Sequence, residues 1–221
     1  MKYADWSLID YETAWKRQEE IFNRVIQVKI DGQDTSEIET IVFCEHPHVY
    51  TLGKSGNAGN LLVNEESLRS KQASFVKIDR GGDITYHGPG QIVGYPILNL
   101  ENHQLSLKGY IYQMEEAIIA TLDHYDIKAT RLEGATGVWL DINSPTVRKI
   151  CAIGVRASRF VTMHGFALNV NTNLDYFSFI NPCGFTTKGV TSMQKELGRT
   201  IDMEEVKEVM KGCLKGSLFR Y

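Results

Sequence analysis

Cys183 sits in the segment 180–185, INPCGF, between a proline that fixes the backbone before it and a glycine that removes side-chain bulk after it. A thiol held on a rigid turn with open space beside it is mounted as nucleophiles are. The commoner use of an isolated cysteine is as a small apolar filler, and local sequence alone favours that use. A second thiol, Cys151, lies two residues after Lys149 in the segment 147–154. In a regular strand Lys149, Cys151 and Ile153 share one face. If that face is buried, Lys149 is an ammonium among apolar neighbours, a costly arrangement that is paired or functional where it occurs. If the face points to solvent, Lys149 is an ordinary surface lysine. Spacing therefore leaves Cys183 and Cys151 as rival thiols.

The densest segment is 80–95, RGGDITYHGPGQIVGY, with five glycines, a proline, an arginine and a histidine. Glycine lets backbone approach a ligand closely, and the Pro89-Gly90 pair stiffens a turn, so the segment reads as a loop that presents N–H groups and His87 to a substrate. The plainer reading is a β-bulge followed by a hairpin. Glycine count alone favours the plainer one, since neither a phosphate loop nor G-x-G-x-x-G is present. Cys44, His46 and His48 form a C-x-H-x-H row, but Pro47 interrupts the strand and no fourth ligand follows in sequence. These three are read as capping a strand and shaping a pocket wall.

The elements that must position these residues follow from periodicity. From Tyr11 to Ile26 apolar residues recur every three or four positions, as they do again from Lys108 to Tyr125; both predict amphipathic helices, the first opening the fold. TIVFC (40–44), SFVKI (74–78), GQIVGYPILNL (90–100), GVWLD, VRKICAIGV and GFALNV read as strands. A terminal helix spans DMEEVKEVMKGCLKGSLF, its acidic start favoured at the positive end of the helix dipole, with Cys213 as packing. Strands in runs between helices predict an α+β fold, a mixed sheet with flanking helices.

With 221 residues and no linker or repeat, one domain over 1–221 is expected. A net charge of -3 gives no reason to expect nucleic acid or an anionic membrane as partner, and no apolar run approaches the roughly 20 residues of a membrane span. The N-terminal stretch lacks the apolar core of a signal peptide, so a cytoplasmic protein with four free thiols is expected, there being no C-x-x-C pair.

Taken in order, HPHVYTLGKSGN, RGGDITYHGPGQIVGYPILNL, KICAIGVRASRFVTMHGFALNV and INPCGF resemble the lipoyl(octanoyl) transferases from about Glu45 to Ser192. The resemblance implies the fold of the biotin and lipoate-protein ligase catalytic domain. It also implies transfer of an octanoyl or lipoyl group from acyl carrier protein to a lysine of the lipoyl domains of 2-oxoacid dehydrogenase complexes or of the glycine-cleavage H protein, with no metal, nucleotide or other cofactor. By this resemblance Cys183 is the nucleophile and Lys149 the residue that lowers its pKa, which settles the contest with Cys151. Substrate binding falls on Arg80, Gly81, Gly82, Asp83, Ile84, Thr85, Tyr86 and His87, on Ala152, Ile153 and Gly154, and on Gly165, Phe166 and Ala167. Asp83 is the variable position of its motif, and Cys151 is an oddity that could oxidise against Cys183.

The implied chemistry makes physical sense. A free thiol is only a few per cent ionised at neutral pH, and a nearby ammonium raises that fraction. Exchange of one thioester for another conserves the donor's activation, so no ATP is needed. Each tetrahedral intermediate carries an oxyanion, for which Gly81-Gly82 or Gly165 are candidate donors, while Lys149, or less directly His87, would relay the acceptor's proton. Arg80, Arg148, Arg156 and Arg159 are expected to dock acidic protein substrates. Two other readings are an ATP-dependent lipoate-protein ligase on the same scaffold and a non-catalytic acyl-protein-binding module.

Overall fold

The computed structural model describes residues 2–181 and 188–218. Its centre is a mixed sheet in the order β1 (Lys2–Leu8), β2 (Thr40–Glu45), β6 (Gln91–Ile97), β10 (Val161–Asn169), β9 (Arg148–Ser158), β8 (Ala135–Leu140) and β7 (Thr130–Leu132), with the two-residue β11 (Gly189–Val190) also paired to β9. β1 runs parallel to β2 and β11 parallel to β9, while the other neighbours are antiparallel. A second sheet has the order β4 (Ser74–Lys77), β3 (Val49–Leu52), β5 (Ile84–His87).

Helix α1 (Tyr11–Ile30) starts at Asp10, whose carboxylate accepts from the Thr13 N–H at 2.9 Å, and buries Tyr11, Ala14, Gln18, Phe22 and Val25 at helical spacing. That stripe packs on β10 and β6. On the opposite face, α3 (Leu107–Asp123) and α5 (Met203–Leu218) pack on one another and on the sheet, burying Ile41, Phe43, Ile92, Met114, Ile118, Phe166, Leu168 and Met210 in one core. Short helices α2 (Glu65–Ser70) and α4 (Met193–Leu197) and two 3-10 turns, Ala58–Asn60 and Leu174–Phe179, complete the described elements.

The predicted helices and strands are present, and α1 runs four residues further than its periodicity suggested. Three findings differ from expectation. β1, not α1, opens the fold; most of its side chains are exposed, so backbone pairing with β2 holds it. The glycine-rich segment is more than a loop, because Ile84–His87 forms β5.

The third difference lies in β9. Lys149 faces Trp139 and Cys151 faces Val138, so two steps along β9 match one step along β8. This bulge at Ile150 breaks the two-residue alternation. Ile150 and Cys151 both enter the core beneath α3 and α5, and Lys149 is left on the other face. The two residues do not share a face.

Candidate active site

A cavity of about 310 Å³ lies between the large sheet and the small one. Its floor is β9 and β10, where Ala152 pairs with Ala167 and Gly154 with Gly165, so small side chains leave a trough. Its roof is the Arg80–Asp83 turn with β5. The Gly81 N–H donates to the Val155 carbonyl at 3.0 Å, pinning the roof across β9. Gly154 makes this approach possible, since a Cβ there would stand 2.9 Å from the Gly81 oxygen.

The root of the roof is charged and at least half-buried. Asp79 pairs with Arg156 and accepts from His164 Nε2 at 2.8 Å, and the His164 bond is the main cause holding the Asp79 carboxyl below its usual range. Arg80, only 8% exposed, donates to the Thr51 carbonyl at 2.8 Å and hydroxyl at 3.0 Å and to the Gly81 carbonyl at 3.0 Å, so its cation braces the turn against β3.

His87 is buried in the cavity wall, stacked on Tyr11 with ring centroids 5.6 Å apart. The Gln91 amide fixes its tautomer. Gln91 Nε2 donates to Asn169 Oδ1 at 2.9 Å, so Gln91 Oε1 accepts from His87 Nδ1–H at 2.8 Å, which leaves Nε2 as an acceptor. Burial, reinforced by His46, holds the His87 pKa well below its usual value, so the ring is neutral at neutral pH.

Lys149 lines the same cavity. Its Nζ donates to the Thr136 carbonyl at 3.2 Å and lies 4.5 Å from the centroid of the Trp139 ring. The Thr136 carbonyl is itself held from behind. The next residue, Gly137, has φ +123° and donates its N–H at 2.9 Å to Glu115 Oε1 on α3; a Cβ at Gly137 would stand 2.5 Å from the Cys151 carbonyl and 3.4 Å from Lys149 Cε.

Cys151 is wholly buried in the core, and burial pushes its thiol well above the ordinary range, so it is packing. Cys183 lies outside the described residues. The chain on either side of it is described. Upstream, the Asn181 N–H donates to the Asn60 carbonyl at 2.8 Å, and downstream Lys188, Gly189 and Val190 line the cavity, with Gly189 and Val190 paired to Arg148 and Lys149.

Of the substrate-binding residues expected from sequence, Arg80, Gly82, Asp83, Ile84, Thr85, His87, Ala152, Ile153, Gly154, Gly165, Phe166 and Ala167 line this one cavity together with Lys149. Gly81 and Tyr86 do not. Gly81 spends its N–H on Val155, which removes it as an oxyanion donor. Tyr86 points into an aromatic cluster, its hydroxyl bonded to His48 Nδ1 at 2.7 Å and its ring stacked on Tyr176 at 5.1 Å. His46 bonds the Ile9 carbonyl and the Tyr95 hydroxyl, both at 2.7 Å, so His46 serves packing, and none of Cys44, His46 and His48 lines the cavity.

The four arginines do not make a docking patch. Arg80 is buried, Arg148 is held by Glu196 and Asp141, Arg156 is held by Asp79, and Arg148 and Arg159 stand beyond or at opposite ends of an 11-residue strand, on the order of 30 Å apart. Sequence reasoning missed Trp139, Gln91, Asp79 and His164. The last two flank or fall inside quoted motifs, and only the fold shows that they meet.

Residues 10–215 match the model of the lipoyl protein ligase A/B catalytic domain, and the chain belongs to that family. An octanoyltransferase of Bacteroides fragilis (strain YCH46) is 60% identical over 93% of this chain and 92% of its own length, and one of Bacteroides thetaiotaomicron is 56% identical over 97% and 93%. Among solved structures, a bipartite lipoate-protein ligase from Thermoplasma acidophilum aligns with a TM-score of 0.71 at 15% identity over 99% of this chain and 85% of its own. The biotin protein ligase of Aquifex aeolicus gives 0.51 at 12% identity over 99% and 69%. These two establish the fold.

Proposed function

We propose that this chain is an octanoyltransferase that takes the acyl group from octanoyl-acyl carrier protein onto Cys183 and passes it to a lysine of a lipoyl domain or of the glycine-cleavage H protein. The observation that carries this reading is the position of Lys149. It stands at one end of a trough floored by Ala152, Gly154, Gly165 and Ala167, on the strand that pairs with Gly189 and Val190, which follow Cys183 in the chain. The relatives' name supports the acyl group.

In this reading the Cys183 thiolate attacks the donor carbonyl; a new C–S bond forms, and the carrier's thiolate leaves and takes a proton from the Lys149 ammonium, which is left as a neutral amine. The acceptor amine then attacks the enzyme thioester. A C–N bond forms, the bond to Cys183 breaks, and the proton lost by the amine passes to Lys149. The ammonium stabilises each thiolate by direct attraction. Burial of methylenes in the trough, at about 0.8 kcal/mol each, selects the chain. His87, neutral and tied to Gln91, serves as an acceptor in the wall and not as a cation. The whole chain acts as one catalytic domain on soluble protein substrates, with no metal or nucleotide.

Intact mass spectrometry after incubation with octanoyl-acyl carrier protein tests this. The wild type should gain one octanoyl group and Cys183→Ser none; an unchanged wild-type mass overturns the reading. Activity that requires ATP and survives Cys183→Ser would instead mark a ligase, as the structural neighbours are named.

A further inference from the structure

The cavity roof and the chain leading to Cys183 are joined by a short strap, residues 56–62. Asp83 closes the roof turn, and its carboxylate forks onto the strap: Oδ1 accepts from the Asn57 N–H at 3.1 Å and Oδ2 from the Asn60 side-chain amide at 2.5 Å. Gly56 packs against it so closely that a Cβ there would stand 2.8 Å from Oδ1. The other end of the strap grips the segment ahead of Cys183. The Asn60 carbonyl accepts from the Asn181 N–H at 2.8 Å, the Leu62 N–H donates to the Phe179 carbonyl at 2.9 Å, and Leu61 bridges Ile180. Asn60 therefore holds the roof with its side chain and Asn181 with its backbone, and Asn181 precedes Cys183 by two residues.

We propose that Asp83 is a positioning residue for the Cys183 thiol, acting through Asn60 and Asn181, and not a contact for the acyl chain. The proposal rests on Cys183 being the nucleophile. The chemistry explains why a carboxylate stands at the cavity rim. Its two oxygens match two donors on the strap, and bonds to an ionised acceptor are the shorter and stronger kind. A side chain already committed to the strap in this way is aimed at its neighbours and not at an apolar substrate.

The test exchanges the two partners. Asp83→Ala leaves the Asn57 N–H and the Asn60 amide without their acceptor, whereas Asp83→Asn alone would be rescued by a flip of the Asn60 amide, and Asn60→Asp sets two carboxylates together. Asp83→Ala and Asn60→Asp should each slow Cys183 octanoylation at saturating donor on the order of tenfold or more, the loss of at least one charge-assisted hydrogen bond, with KM for the octanoyl donor unchanged. Asp83→Asn combined with Asn60→Asp restores the bond with its polarity reversed while residue 83 still accepts from the Asn57 N–H, and should recover most of the rate. A double variant no faster than Asn60→Asp alone, or singles that raise KM at full rate, overturns the proposal. If thermal melting shows that a charge variant does not fold, Asn60→Ala keeps the carbonyl bond to Asn181 and should show the same slow step; normal acylation there overturns the idea equally. Wild-type protein that gains no octanoyl group refutes the nucleophile itself, a result separate from an insensitive swap.

Discussion

Lys149 and Trp139 are cross-strand partners on β9 and β8, and the lysine Nζ rests 4.5 Å from the centroid of the indole. The pairing lets the bulge at Ile150 do two things at once: it sends Cys151 into the core and holds an ammonium over an aromatic face at the cavity. A cation on a ring face gains about 0.5–2 kcal/mol. Trp139→Leu should therefore slow alkylation of Cys183 at neutral pH by roughly 2- to 30-fold. Lys149→Ala should slow it further, and both deficits should vanish at alkaline pH, where the thiol ionises unaided. Equal rates at neutral pH, measured with iodoacetamide on folded protein, remove Lys149 from the activating role.

Cys151 provides the complementary case. It is wholly buried beneath α3 with its thiol pKa driven up by desolvation. Cys151→Ala should keep octanoyl transfer and lower stability by about 1 kcal/mol, the loss of a small buried group. Labelling with a thiol reagent should leave Cys151 unmodified until denaturant is added. Loss of transfer in a folded Cys151→Ala variant would reopen its contest with Cys183.

In the proposed function the trough floor sets chain length. Ala152 and Ala167 face each other in register, and Ala152 retains some exposure to the cavity. Ala152→Leu adds three carbons where the acyl chain would run. Displacing two methylenes costs about 1.6 kcal/mol, so kcat/KM for an octanoyl donor should fall roughly 15-fold while a butyryl donor is spared. Equal losses for both donors place the acyl chain elsewhere.

Much of this arrangement was legible beforehand. Helical periodicity located α1, α3 and α5 because each buries one stripe, and β-branched runs located the central strands. β1 left no such mark, since an edge strand held by backbone bonds needs no apolar face. The site was legible through resemblance more than through spacing. A two-residue period placed Lys149 and Cys151 together, and only the register against β8 shows a bulge that separates them. Trp139 and Asp83 act through partners 10 and 23 residues distant in sequence, contacts that no local pattern encodes.

Stability should fall with acidity because of His46. The ring is fully buried; the Ile9 carbonyl can only accept, so His46 Nδ1–H donates to it, and Nε2 of the neutral ring accepts from the Tyr95 hydroxyl. Desolvation lowers the His46 pKa to about 4, against roughly 6.5 in an unfolded chain. Between those values the unfolded state binds more protons, so stability is full above pH 6.5 and declines as pH falls towards 4, by about 3 kcal/mol in all. Burial of His87 and His164 acts in the same direction. His46→Gln, which can still donate to Ile9 and accept from Tyr95, should flatten the decline in urea midpoint between pH 7 and pH 4 while lowering the plateau. Parallel wild-type and variant profiles over that range would show that His46 carries none of the acid sensitivity.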